Sequence, residues 1–113
     1  MERRRSPRLP VRVEVEARCE GEVSQGITVN LSLTGACALI EGEPKEFSQI
    51  ELTLKLPIQV EDDEEIFLVE FPGVIVRAEP TDSRTIIAVM FQRLPVESEW
   101  ALSKFLLNQF DDA

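Results

Sequence analysis

The feature that most constrains the fold of this chain is an alternation of apolar and polar residues with a period of two. It is strictest in VRVEVEARCE, residues 11–20, and it returns in IELTLKLPI, residues 50–58. Successive side chains of a β-strand point to opposite faces, so this pattern indicates strands with one face on a core and one in solvent. Other strand-like segments are GITVNLS, GACALIE, IFLVEFPGVIVRAEP and TIIAVMFQRL. About six strands are predicted.

The last part of the chain changes period. Apolar residues there recur at helical spacings, with Glu97 and Glu99 in the first turn, where the helix dipole favours acids. These apolar residues are Val96, Trp100, Leu102, Leu106, Leu107 and Phe110. Strands with short connections and no alternation with helices predict an all-β-dominated fold, a six-stranded antiparallel β-barrel with a C-terminal α-helix over one opening or flank. At 113 residues the chain is predicted to be one domain.

Two local breaks are expected within this pattern. Pro72 and Gly73 interrupt the segment from Ile66 to Pro80, which suggests a bulge or bend between two pieces of strand. The acidic run EDDEE, residues 61–65, is interpreted as a solvated loop, because like charges repel one another and resist burial.

Charge is distributed unevenly along the chain. Residues 1–12 hold five arginines and one acid, a local charge of +4, whereas the remainder has 7 basic and 20 acidic residues, or −13, within a total of −9. A general nucleic-acid binder usually has a basic face, so this balance argues against one. At physiological salt, charges more than about 8 Å apart are largely screened, so the basic end can still attract a small anion.

Several classes of protein are disfavoured. The chain has no histidine, the commonest general base, and so it is not expected to be an enzyme or to hold a metal. The two cysteines, Cys19 and Cys37, are interpreted as buried thiols of a reducing compartment. No apolar run is long enough for a membrane span or a secretory signal, so a cytoplasmic protein without membrane insertion is expected.

Two motifs carry the functional prediction. Arg4 and Arg8 form R-x-x-x-R in an arm that Pro7 and Pro10 keep from being helical. Asn30, Ser32 and Gly35 follow as N-x-S-x-x-G at a junction between two strands, where glycine accepts positive φ and the polar side chains can hydrogen-bond across a corner. R-x-x-x-R also fits Arg8 with Arg12, but the pair in the arm is preferred because Arg12 is predicted to lie in the first strand.

The order and spacing of these motifs, on a barrel with a terminal helix, resemble the PilZ family of bacterial receptors for cyclic di-GMP. The resemblance covers nearly the whole chain, with residues 1–10 as a ligand-binding arm and 11–113 as the barrel domain with its helix. It implies that Arg4 and Arg8 contact guanine or phosphate, that Asn30 binds a guanine edge, and that Ser32 binds base or sugar. Gly35 is expected to set the corner and let the ligand approach the backbone.

The resemblance also bears on stoichiometry and on output. Arg3 adds a third guanidinium to the arm, and we expect it to favour two stacked cyclic di-GMP molecules per chain. Cyclic di-GMP is expected as a ligand, with no cofactor. Because the chain begins at Met1 on the arm, the signal is expected to pass to a separate effector protein rather than to an upstream domain.

Two other functions remain open. One is a PilZ-like scaffold that binds a pilus, flagellar or regulatory protein without nucleotide. The other is a small barrel that binds single-stranded nucleic acid, which the scarcity of aromatic stacking residues disfavours.

Overall fold

The strands and the helix follow the predicted order in a computed structural model that describes residues 8–111. The prediction of six strands followed by one helix is confirmed. In chain order the elements are β1 (Glu14–Cys19), β2 (Glu22–Leu31), β3 (Gly35–Ile40), β4 (Gln49–Val60), β5 (Asp63–Pro80), β6 (Thr85–Phe91) and α1 (Val96–Asp111).

The six strands form a closed antiparallel barrel. Their order around the ring is β1-β2-β3-β6-β5-β4, and β4 returns to pair with β1. Closure joins the two outer strands of the sheet, but β4 pairs with β1 only over residues 51–54 and β5 pairs with β6 only from Gly73, so the far part of the β4–β5 hairpin is paired only within itself.

The inward positions of the alternating strands form the core. Val15 and Ala17 of β1 are buried, and the leucines of β4 at positions 52, 54 and 56 are fully buried. The period-two interpretation is therefore confirmed for these strands. Strand β1 begins only at Glu14, however, so Arg12 precedes it and is exposed, which corrects its predicted place in the first strand.

Strand β5 is continuous, and the predicted break at Pro72 and Gly73 is wrong. These residues keep regular pairing with Glu51 and Ile50 of β4. The carbonyl of Pro72 accepts a hydrogen bond of 2.8 Å from the N–H of Gln92, the residue directly after β6, so the N–H that proline lacks falls at the end of the β5–β6 ladder. The irregularity in β5 lies instead between Ile75 and Arg77.

The acidic run is partly a turn and partly a strand. Glu61 and Asp62 form the turn between β4 and β5, whereas residues 63–65 continue the β5 ladder and pair with residues 58–60. All five acidic side chains are exposed, as expected. Strand pairing satisfies the backbone without burying the charges, so an acidic run is compatible with a hairpin end.

Helix α1 lies against β4 and β5 through a narrow apolar face. Its buried members are Ala101, Leu102, Phe105 and Leu106. The Ser98 hydroxyl donates to the carbonyl of Glu70 at 2.6 Å, and the Gln59 N–H donates to Oδ1 of Asn108 at 3.1 Å. Four other apolar residues of the helix stay largely exposed: Val96, Trp100, Leu107 and Phe110. No helix in the described residues is long and apolar enough to cross a membrane.

Candidate functional site

The arm reaches the barrel at the end of β2. Leu9 and Leu31 exchange two backbone hydrogen bonds, each with an N···O distance of 3.0 Å. Arg8, the residue before Leu9, is exposed beside this bridge. Arg3 and Arg4 lie outside the described residues, so of the predicted arginines only Arg8 is placed.

A β-bulge sets the direction of Asn30. Thr28 pairs with Ala38, but the next pair is Asn30 with Cys37, which leaves Val29 as an extra residue in β2. With regular pairing Asn30 would lie opposite Ala36, which is buried in the core. The bulge therefore turns Asn30 to the outer face of the barrel, a use of bulges that is common beside functional sites.

The side-chain oxygen of Asn30 lacks a partner in the described part of the chain. Oδ1 is buried, and no described residue donates a hydrogen bond to it. Buried polar atoms are almost always hydrogen-bonded, because an unpaired one costs the desolvation free energy of the group. A ligand that donates a hydrogen bond to Oδ1, once the Asn30 side chain turns toward it, would remove this cost.

Arg8 reaches the same face. Its Nη1 donates to Sγ of Cys37 at 3.4 Å, and Cys37 lies directly across the β2–β3 pair from Asn30. Side chains opposite each other in an antiparallel pair have Cβ atoms about 4.5–5.5 Å apart. The structure thus brings Arg8 and Asn30, 22 positions apart in sequence, to one patch of surface. We call the patch of Arg8, Asn30 and Cys37 the arm face.

Ser32 is buried and fixes the strand corner. Its Oγ accepts hydrogen bonds from the N–H groups of Thr34 and Gly35, each at 3.2 Å. Its backbone N–H donates to the Gly35 carbonyl at 2.9 Å. These contacts hold the turn that leads from Asn30 into β3. The expected contact of Ser32 with base or sugar stays a prediction.

Gly35 does not adopt the positive φ that was expected, and its expected role in letting the ligand approach the backbone stays a prediction. Among the described glycines, positive φ occurs at Gly21 and Gly42 and not at Gly35. Gly35 begins β3 opposite Met90, and a Cβ there would collide with the backbone carbonyl oxygen of Val89. Close approach of β3 to β6 therefore explains this glycine, and the expectation of positive φ is wrong.

The sequence interpretation missed Cys37 as a residue of the arm face. Both cysteines are free and only half-buried, which corrects the prediction of buried thiols. The outward position of Cys37 could have been predicted in part. Side chains alternate along a strand, and Cys37 lies between Ala36 and Ala38, which point into the core. The described residues contain no cluster of His, Cys, Asp or Glu that could hold a metal ion.

Solved structures with the same fold are found among bacterial proteins. The PilZ domain of YcgR from Escherichia coli, solved with c-di-GMP, matches with a TM-score of 0.72 and 14% identity over 98% of this chain and 94% of that one. The inhibitor of motility MotI/DgrA of Bacillus subtilis matches with a TM-score of 0.75 and 15% identity over 98% of this chain and 53% of that one.

A third similar structure is the K. pneumonia MrkH–c-di-GMP complex, with a TM-score of 0.69 and 17% identity over 99% of this chain and 54% of that one. The chain thus spans about half the length of MotI and MrkH. Identities this low establish a shared fold alone. A search among curated protein sequences finds no matching relative.

Family membership comes from the sequence itself. A sequence model described as the PilZ domain matches residues 2–108, which include both motifs and all six strands. The chain belongs to the PilZ domain family.

Proposed function

We propose that this protein is a cyclic di-GMP receptor that holds the dinucleotide between its N-terminal arm and the outer face of β2 and β3. Family membership supports this, as do the neighbours YcgR and MrkH, which were solved with c-di-GMP. The observation that carries the proposal is the buried Oδ1 of Asn30, unpartnered by any described residue, on the face that Arg8 reaches.

The proposed contacts follow from the chemistry of the two partners. The N1–H and N2–H₂ groups of guanine are donors, and they can satisfy Oδ1 of Asn30. Arg8 can donate two parallel hydrogen bonds to guanine O6 and N7, bind a phosphate, or stack on a base. Arg4 is assigned the same chemistry from the other end of the R-x-x-x-R motif. In each case a positive or polar group of the chain meets a complementary group of the ligand.

Ser32 and Gly35 complete the proposed site. The hydrogen bonds of Ser32 hold the corner next to Asn30, and we assign its hydroxyl to a base or sugar of the ligand. Gly35 lets β3 approach β6 closely at the same corner.

We assign Arg3 to the second of two stacked ligand molecules. The division into an arm, residues 1–10, and a barrel domain, residues 11–113, belongs to the same proposal.

We propose that this receptor acts in the bacterial cytoplasm and that it signals by binding an effector protein, not by catalysis. The surface beside the arm suits a protein partner. A groove of about 330 Å³ is lined by Leu9 of the arm, Leu33 of the corner, and Ser103, Leu106, Leu107 and Phe110 of α1. The same exposed apolar groove favours the second candidate function, a scaffold that binds its partner without nucleotide.

Isothermal titration with cyclic di-GMP distinguishes the two candidates. Saturable binding is expected with cyclic di-GMP and not with GTP or cyclic di-AMP at equal concentration. Adenine presents an acceptor at N1 where guanine presents a donor, so it cannot satisfy Asn30 Oδ1 through that position. No heat of binding with cyclic di-GMP, from protein shown to be folded by circular dichroism, would favour the scaffold.

A further inference from the structure

We propose that Cys37 forms the floor of the cyclic di-GMP site, where its thiol positions the Arg8 guanidinium in the free protein and is covered by the bound dinucleotide. This inference rests on the proposed function. It adds a positioning residue that belongs to neither the R-x-x-x-R nor the N-x-S-x-x-G motif.

Strand register places Cys37 at the centre of the arm face. Cys37 pairs with Asn30 across β2 and β3, and its neighbours Ala36 and Ala38 point into the core, with 3% and 0% of their surface exposed. The Cys37 side chain therefore points outward beside Asn30, whose Oδ1 lacks a described partner. A ligand that donates to Asn30 must lie over or directly beside the thiol.

The contact between Arg8 and Cys37 is weak enough to position the Arg8 side chain in the free protein and to release it when the ligand binds. Arg8 Nη1 lies 3.4 Å from Sγ, within hydrogen-bonding range for sulfur. A thiol is a weak acceptor, much weaker for a guanidinium than a phosphate or carboxylate oxygen. The contact thus holds Arg8 over the face without competing strongly with a phosphate or a guanine edge. A carboxylate at position 37 would hold the guanidinium too tightly.

The second cysteine gives an internal control. Cys19 lies at the far end of β1, where it pairs with Glu22, eight residues before Asn30 along β2. At about 3.3 Å per residue, Glu22 and Asn30 are roughly 26 Å apart along β2. The Cys19 thiol donates to the carbonyl of Gln49 at 3.5 Å, and burial, with Glu20 nearby, raises its pKa. Cyclic di-GMP at the arm face cannot cover Cys19.

The test uses N-ethylmaleimide on two single-cysteine chains, Cys19→Ser and Cys37→Ser. The sulfur adds to one alkene carbon of the reagent, the thiol proton ends on the adjacent carbon, and no group leaves. Intact mass gives the labelling rate with and without saturating cyclic di-GMP. We expect the ligand to slow labelling of Cys37 by about tenfold or more and to leave that of Cys19 unchanged, because only exposed thiolate reacts.

Affinity provides the second readout. Prior labelling of Cys37 should lower cyclic di-GMP affinity by about tenfold or more, and Cys37→Glu should do the same, whereas Cys19→Ser should bind within about threefold of the wild type. Thermal melts confirm that each variant is folded. Two results would overturn this inference alone. One is that the wild type binds cyclic di-GMP but Cys37 is labelled at the same rate with and without the ligand, and the other is that Cys37→Glu binds normally. Failure of the unmodified wild type to bind would overturn the proposed function and this inference together.

Discussion

The hydroxyl of Thr28 donates a 2.6 Å hydrogen bond to the carbonyl of Val11, and it accepts one of 2.9 Å from the N–H of Val13. Thr28 is fully buried in β2, two residues before Asn30. One side chain therefore fixes the segment that joins the arm to β1. Together with the bridge between Leu9 and Leu31, it determines where Arg8 emerges relative to Asn30.

Replacement of Thr28 by valine should lower both stability and affinity. The variant has the same shape but leaves the Val11 carbonyl and the Val13 N–H without the hydroxyl, at a cost of about 1–3 kcal/mol in the free energy of unfolding. Urea denaturation measures this cost. Because the arm is then held less firmly, cyclic di-GMP affinity measured by titration should also fall.

Thr85→Val is the matched control. Thr85 is also buried, and its hydroxyl donates to the carbonyl of Gly42 at 2.7 Å, where Thr85 pairs with Ile40 at the other end of β3 from Gly35. It should lose stability and keep normal affinity. Equal loss of affinity in both variants would show that Thr28 acts only through general stability.

Asn30→Ala should affect stability and binding differently. Its Oδ1 has no described partner, so its removal should leave the free energy of unfolding unchanged or higher, within about 1 kcal/mol. The same change removes the proposed guanine contact and should weaken cyclic di-GMP binding about 5- to 150-fold. Gln25→Ala, also in β2 but exposed, is the control and should bind normally. Wild-type affinity in Asn30→Ala would remove the main support for the proposed site.

Arg8→Ala should weaken cyclic di-GMP binding and leave the barrel folded. An arginine–guanine or arginine–phosphate contact is worth about 1–3 kcal/mol, or roughly 5- to 150-fold in affinity. Arg8 is exposed and does not pack in the core, so the melting temperature of the Arg8→Ala variant should match that of the wild type. Titration of Arg8→Ala and Arg12→Ala in parallel checks the motif register. If only Arg12→Ala is weakened, the wrong arginine pair has been assigned.

Arg3→Leu should change the number of ligands bound. Two stacked cyclic di-GMP molecules bring twice the phosphates of one, and an added guanidinium stabilises that charge whereas leucine does not. We expect two molecules per wild-type chain and a shift toward one in Arg3→Leu. Calorimetric stoichiometry, at concentrations well above the dissociation constant, measures the ratio. A wild-type ratio of one would exclude the stacked pair.

The sequence alone determined the features that depend on local pattern. Alternation of apolar and polar residues predicted the strands, and the change to helical spacing predicted α1, because side-chain period follows directly from backbone geometry. The order of the motifs identified the family, which the match over residues 2–108 confirms.

Only the tertiary structure decided how the site residues are arranged, because strand pairing joins segments that are distant in sequence. The extra residue Val29 turns Asn30 outward, and a shift of one position would have turned it into the core. Pairing with β3 sets Cys37 beside Asn30 and under Arg8. The carbonyl of Val89, 54 positions along the chain, leaves no space for a side chain on Gly35. No local pattern encodes these contacts, since each depends on which partner strand lies opposite and in which register.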